Sequence, residues 1–146
     1  MDIALCTYDK STQMLTYAGA SLPIIISTTT SVEPSDKINV HFDGLIELKP
    51  DRMPVSYFDK MESFHETKIK LNPGDTIYMF SDGFMDQFGG EMSKKFGHTA
   101  FRSLINSVRN LPLNQQKQVV WTSLEKWKGE TENQTDDILV MGLRLS

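Results

Sequence analysis

Only one cysteine, Cys6, occurs in 146 residues. That excludes an internal disulfide and makes a reducing compartment the simpler expectation. Set in an apolar run, Cys6 reads as a small core hydrophobe. Basic residues are also scarce. Fifteen Lys and Arg stand against 19 Asp and Glu, a net charge of -4, so no overall attraction draws the chain to nucleic acid or anionic lipid. Long hydrophobic runs are missing, and acidic Asp2 stands where a signal peptide needs basic residues. The sequence therefore reads as cytoplasmic, with no membrane contact. It has no internal repeat or low-complexity tract, and its three histidines are scattered without ligand spacing.

What is present suits one domain, which at this length buries about two thirds of the surface its unfolded form exposes. Residues 2–8, DIALCTY, and 14–20, MLTYAGA, flank the turn-forming DKSTQ and predict a hairpin. SLPIIIST predicts a third strand, with Pro23 where a missing N–H is tolerated. INVHF and LIELK predict two short strands joined at Asp43-Gly44, a strong two-residue hairpin signal. KPDRMPVSYFDKMES, with two prolines and no period, reads as an irregular surface excursion that includes Met53. FHETKIKL alternates as a half-exposed strand and is expected to pair with the next, DTIYMFS, across the turn NPGD.

The period then becomes helical. Phe101, Leu104, Ile105 and Val108 recur at three and four residues, with His98 or Thr99 as the expected cap. A second helix is predicted from Leu113 to Lys128. Val120, Leu124 and Trp127 form its apolar face, widened by Val119 and Trp121, and Gly129 stands at its C-terminus. Two tryptophans on one amphipathic segment read as core or partner contacts, and a base-stacking role fits poorly with the acidic balance. A last strand is predicted in DDILVMGLRLS. Strands followed by paired helices and a final strand indicate an α+β class, with antiparallel β-sheets layered with helices.

Residues 80–90, FSDGFMDQFGG, place Asp82 and Asp86 with Gly83, Gly89 and Gly90 where a strand should simply turn. Asp136 and Asp137 open the final strand. If both strands share an antiparallel sheet, the end of one lies beside the start of the other, and Asp82 meets Asp136. Adjacent carboxylates repel, so such a pair calls for a cation or a shared proton between them. Oxygen ligands without a His or Cys pair point to Mg²⁺ or Mn²⁺, and Gly83 permits a close backbone approach. The competing reading treats the acids as turn caps, since Asp-Gly is a common turn dipeptide. Lys94 and Lys95 read as a solvated pair that could also reach a phosphate.

IYMFSDGFMDQFGG, KKFG and QTDDILVMGLRL, in this order and spacing, resemble the SpoIIE-like branch of the PPM family, the metal-dependent bacterial protein serine/threonine phosphatases. MDIALCTYD and LTYAGASLPIII resemble that branch's central hairpin. The resemblance implies part of an α-β-β-α sandwich and hydrolysis of phosphoserine or phosphothreonine by an ion-activated water, without a nucleophilic side chain. It implies metal binding by Asp82 and Asp136, a supporting place for Asp137, and a weaker candidacy for Asp86. It also implies a phosphorylated protein substrate and an upstream sensor or receiver module.

The family's early acidic residue and bridging Asp-Gly motif have no counterpart here. Residues 1–146 are therefore expected to be the C-terminal portion of the domain, weakly active or inactive alone. Self-association through an exposed sheet edge or face is expected as well. An alternative is a non-catalytic protein-interaction module built on half the fold. A calcium-binding module using residues 82–90 fits less well, because the loop lacks regularly alternating acids.

Overall fold

A computed structural model describes residues 1–56 and 62–146. In chain order the elements are β1 (Ile3–Asp9), β2 (Met14–Ala20), β3 (Ile24–Ser27), β4 (Ile38–Phe42), β5 (Leu45–Leu48), β6 (Thr67–Lys70) and β7 (Thr76–Phe80). Then come α1 (Gly83–Asp86), β8 (Phe88–Gly89), β9 (Lys94–Lys95), α2 (His98–Val108), α3 (Leu113–Lys128) and β10 (Val140–Arg144). The class is α+β with antiparallel sheets, as the sequence pattern indicates. Two compact units divide the chain, one of Met1–Met79 with Leu143–Ser146, the other of Phe80–Gly142.

The first unit holds the three-stranded sheet and most of the five-stranded one. β1 and β2 form the predicted hairpin, in register from Ile3 opposite Ala20 to Asp9 opposite Met14. Asp9 Oδ1 closes its turn by accepting from the Ser11 amide and hydroxyl at 2.8 and 2.7 Å. With β6 they make a three-stranded sheet in the order β1-β2-β6. The larger sheet runs β10-β7-β3-β5-β4. Its central strand β3 carries Ile24, Ile25 and Ile26, all fully buried, which is why that run is apolar at every position instead of alternating. β4 and β5 meet at Asp43-Gly44 as predicted, Gly44 taking the positive φ of 71° that the tight loop requires.

Leu15, Tyr17 and Ile69 of the smaller sheet pack with Ile24, Ile26, Ile46, Leu48 and Ile77 of the larger one, joined by Leu71 and Leu145. Burying each such side chain contributes about 1.5–3 kcal/mol relative to exposure. Cys6 packs against this cluster, in keeping with its reading as a small hydrophobe, and burial pushes its thiol up to about 11.

The expected pairing of FHETKIKL with DTIYMFS does not occur. β6 pairs with β2 and β7 with β3, in different sheets. β6 buries only Ile69 between exposed lysines, whereas β7 is buried at four of five positions. One suits a sheet edge and the other an interior place. The turn between them is directed by Asp75, 2 % exposed, whose carboxylate accepts from the Thr28 hydroxyl at 2.8 Å, the Thr29 amide at 3.2 Å and the Asn72 amide at 2.8 Å.

The predicted excursion is irregular, but Met53 is buried, not displayed on the surface. Residues 57–61 of it lie outside the described residues. Asp51 fastens its two ends. The carboxylate accepts from the His65 amide at 2.8 Å and the Lys37 ammonium at 2.5 Å, and lies 3.0 Å from His65 Nδ1. Burial alone would push Asp51 up. The hydrogen bonds from His65 and Lys37, with the Lys37 charge, outweigh it and hold the carboxyl at about 2.

The second unit is built on aromatic rings. Phe80 and Phe84 each contact Phe101 of α2, at 4.8 and 5.1 Å between centroids. Phe96 links Phe84 to Trp127 of α3 at 5.1 and 5.4 Å, edge to face in both cases. The N-cap of α2 is Gly97, φ 86°, not His98 or Thr99, and it makes no side-chain cap. Its amide instead donates to the Met85 carbonyl at 2.8 Å, tying the helix start to α1.

α3 runs from Leu113 to Lys128 as predicted, ending at Gly129 with φ 62°. Its buried face is narrower than expected, because Val119 and Trp121 are exposed. Gln116 is buried in their stead. Its side-chain amide donates to the Arg109 and Leu111 carbonyls at 3.1 and 2.8 Å. These carbonyls lie at and beyond the end of α2, where helix carbonyls lack partners. No helix among the described residues is long and apolar enough to cross a membrane.

Candidate functional site

Asp82 is the N-cap residue of the one-turn helix α1, the segment that sequence reading leaves as a loop. Its side chain makes no capping hydrogen bond, so the turn-cap reading of this carboxylate fails. What positions it lies on either side. The Ser81 hydroxyl donates to the Asp137 carbonyl at 2.7 Å and accepts from the Leu139 amide at 2.9 Å, and the Ser81 amide donates to the Leu139 carbonyl at 3.0 Å. Gly83 packs its Cα against the Asp137 carbonyl so closely that a Cβ there would collide with that oxygen. Residue 82 is thereby held beside residues 136–137, fifty-odd positions downstream. Sequence reading had identified Gly83 as the close-approach residue but missed Ser81, for which a lone serine before Asp-Gly gives no signal.

Asp136 and Asp137 are both exposed and precede β10, which starts only at Val140. Asp136 Oδ1 accepts from the Asp137 amide at 2.7 Å, and the Asp136 carbonyl accepts from the Gln134 side chain at 2.9 Å. The segment is thus shaped locally, with Asp136 Oδ1 engaged by its neighbour's amide. Asp86 is drawn elsewhere, into an ion pair with Lys95 at 2.9 Å. This sets the weaker candidate apart from the other acids and gives Lys95 a structural partner.

Gly89 and Gly90 serve a different purpose from the one their position suggests. A Cβ on Gly89 would strike the Trp127 carbonyl, and the Gly90 amide donates to that carbonyl at 2.8 Å. The Trp127 indole donates to the Gln87 carbonyl at 3.0 Å, and the buried Gln87 side chain donates to the Phe88 and Asn133 carbonyls, both at 3.0 Å. These glycines seat the end of α3.

The acids that these two segments carry offer oxygen donors only, of the kind suited to a hard divalent cation that keeps part of its water shell. It is also small. Among the described residues no group of three or more His, Cys, Asp or Glu is placed to hold a metal ion.

The whole chain, residues 1–146, matches the family model of stage II sporulation protein E, SpoIIE. The chain belongs to the SpoIIE family. Over 99% of its length this SpoIIE-family chain superposes on the SiaA-PP2C domain of Pseudomonas aeruginosa, with a TM-score of 0.80 and 27% identity, covering 51% of that chain. The phosphatase domain of the cell fate determinant SpoIIE from Bacillus subtilis, solved after a manganese presoak, gives 0.61 at 14% identity over 99% of this chain and 56% of that one. RsbX, solved in complex with magnesium, gives 0.54 at 14% over the same shares, 99% and 56%. At 14% identity the last two speak for the fold alone. The chain spans about half the length of the solved structures it matches. A search of curated proteins gives no match.

Proposed function

We propose that this chain is the C-terminal portion of a SpoIIE-like phosphatase domain, and that such a domain hydrolyses phosphoserine or phosphothreonine on a signalling protein. Asp82 and Asp136 would hold Mn²⁺ or Mg²⁺, with Asp137 and Gly83 supporting them. The observation that supports the reading is the clasp of Ser81 and Gly83 on residues 137–139, since these are the segments that carry the uncapped Asp82 and the 136–137 acids. A bound ion supplies charge neutralisation at a phosphoryl group and a more acidic water. The chain itself contributes oxygen ligands and a backbone that fixes their separation. The acidic surface, the phosphoprotein substrate, the upstream sensor or receiver module and a cytoplasmic setting all fit bacterial signalling.

Two carboxylates hold Mg²⁺ weakly, because that ion gives up water reluctantly. The isolated 146-residue chain is therefore weakly active or inactive. The test is calorimetric titration with Mn²⁺ alongside a phosphopeptide assay. Weak binding that disappears in Asp82→Ala and in Asp136→Ala, with little turnover, is expected. Binding unchanged in both variants would refute the ligand assignment, and ready turnover would refute the incomplete-site reading. A second reading, a non-catalytic interaction module on half the fold, draws on the small donor set; it is favoured if the native chain binds no Mn²⁺ at all.

A further inference from the structure

Between Phe80 and Ser93 the chain carries Asp82, Asp86 and Glu91 and not one basic residue. Lys94 and Lys95 then follow together, and the short hairpin β8–β9 sends them to different places. Gly89 lies opposite Lys94 and Phe88 opposite Lys95, and neighbouring side chains on a strand leave by opposite faces. Lys94 shares the face on which Gly89 packs against Trp127. Lys95 reaches α1 instead, where its ammonium lies 2.9 Å from the Asp86 carboxylate. The backbone holds it there. Directly after Lys95, the Phe96 amide donates to the Gln87 carbonyl at 3.0 Å and the Gly97 amide to the Met85 carbonyl at 2.8 Å. Asp86 stands one helical turn from Asp82, its amide donating to the Asp82 carbonyl at 3.0 Å, and residues four apart on a helix are neighbours on one face. Lys95 is thus a cation fastened one turn from Asp82, within one compact unit.

We propose that Lys95 is a substrate-binding residue whose ammonium takes the phosphoryl dianion of a phosphorylated side chain, with Asp86 as the positioning residue that holds it. This rests on the reading of Asp82 as part of a phosphatase site, and it names the group that meets the substrate's charge. Two carboxylates balance the charge of a divalent ion, so a dianion arriving beside Asp82 and Asp136 meets no net attraction unless a further cation stands near. Lys95 is the base that the fold ties to that segment. Its ammonium has three N–H donors. One serves Asp86, and 53% of the Lys95 side chain is open to solvent, which leaves donors for phosphoryl oxygens without breaking the pair. An ion pair this exposed contributes little to stability, so holding the fold together does not account for it. Asp86 gains a purpose too: it aims the ammonium, and it is not itself a metal ligand.

The test is NMR of the lysine ε-methylene groups in the 146-residue chain with Mg²⁺ present, during titration with a phosphoserine peptide and with the same peptide unphosphorylated. Lys95 should shift with the phosphopeptide alone, while Lys94 stays in place. Lys95→Gln should weaken phosphopeptide binding about fivefold and leave Mg²⁺ affinity within about twofold. Lys95→Arg, which keeps the charge, should retain most of the binding. Asp86→Asn leaves the ammonium without its anchor, so phosphopeptide binding should weaken while the urea midpoint holds. A Lys95 signal unmoved by the phosphopeptide overturns the proposal, and so do Lys94 and Lys95 shifting alike, the mark of a merely solvated pair. Full phosphopeptide affinity in Asp86→Asn overturns the positioning role of Asp86. The two readings fail separately. Lys95 shifting in a chain that binds no Mg²⁺ sinks only the metal assignment, and Mg²⁺ bound with Lys95 unmoved sinks only the lysine contact.

Discussion

The Ser81 hydroxyl reaches the Asp137 carbonyl at 2.7 Å while taking a hydrogen bond from the Leu139 amide at 2.9 Å, so one side chain both donates to and accepts from a segment 56 to 58 residues away. Net worth of a single hydrogen bond is about 0.5–1.5 kcal/mol. Ser81→Ala should therefore lower the unfolding free energy by about 1–2 kcal/mol in urea titration. Mn²⁺ binding should weaken in parallel. An unchanged midpoint would show that water replaces the serine at no cost.

Asp82 and Gly83, adjacent in sequence, should respond in opposite ways. Asp82 makes no cap hydrogen bond, so Asp82→Ala should change stability by no more than about 0.5 kcal/mol while removing a proposed ligand. A loss near 1 kcal/mol would restore the helix-cap explanation. Gly83→Ala drives a methyl against the Asp137 carbonyl and should cost about 1–3 kcal/mol as overpacking. Thermal or urea unfolding of the two single variants decides between these outcomes.

Burial holds the Cys6 thiol protonated up to about 11, against an ordinary value of 9.0. The neutral form is favoured in the fold, so the folded chain binds more protons than the unfolded one between those values. Stability from this group is whole below pH 9.0 and falls as pH rises toward about 11. Cys6→Ala should flatten the alkaline limb of a plot of urea midpoint against pH. Alkylation of the native chain at pH 8 should be slow, and fast labelling there would contradict the burial argument.

Asp51 behaves with the opposite sign. Its carboxyl sits at about 2 rather than 3.8, so it contributes stability above 3.8 that is lost as pH falls through about 2. Asp51→Asn should flatten the acid limb in that window. Protection of the His65 amide against hydrogen exchange should also fall, because that amide donates to the Asp51 carboxylate. An acid limb identical to that of the parent chain would exclude Asp51 as a main contributor.

Much of this architecture was readable because single residues mark its boundaries. Pro112 and Gly129 bracket α3, Asp43-Gly44 sets the β4–β5 turn, and the unbroken Ile24–Ile26 run marks an interior strand. Pairing across NPGD was misread because neighbours in sequence usually pair. Asp75, which overrides that tendency, is satisfied by residues 28 and 29, far away in sequence. The helix face was drawn too wide because periodicity alone ranks Trp121 with Trp127, and only packing leaves the former in solvent. Around the candidate site, the close backbone approach at Gly83 was legible from the Asp-Gly dipeptide. Ser81 and Gln87 were not, since their contributions depend on backbone carbonyls that no residue type announces.

The fastening of the 82–90 stretch has a mechanical consequence. Its front is clasped by residues 137–139 and its rear by Trp127 and Asn133, which leaves α1 no independent freedom. A tilt or rotation of α3 about its own axis must drag the Trp127 carbonyl and indole with it, and through Gln87 and Gly90 it must move the turn that carries Asp82. The solvent-facing flank of that helix, where Trp121 stands, is thereby geared to the position of an acidic oxygen that it never touches.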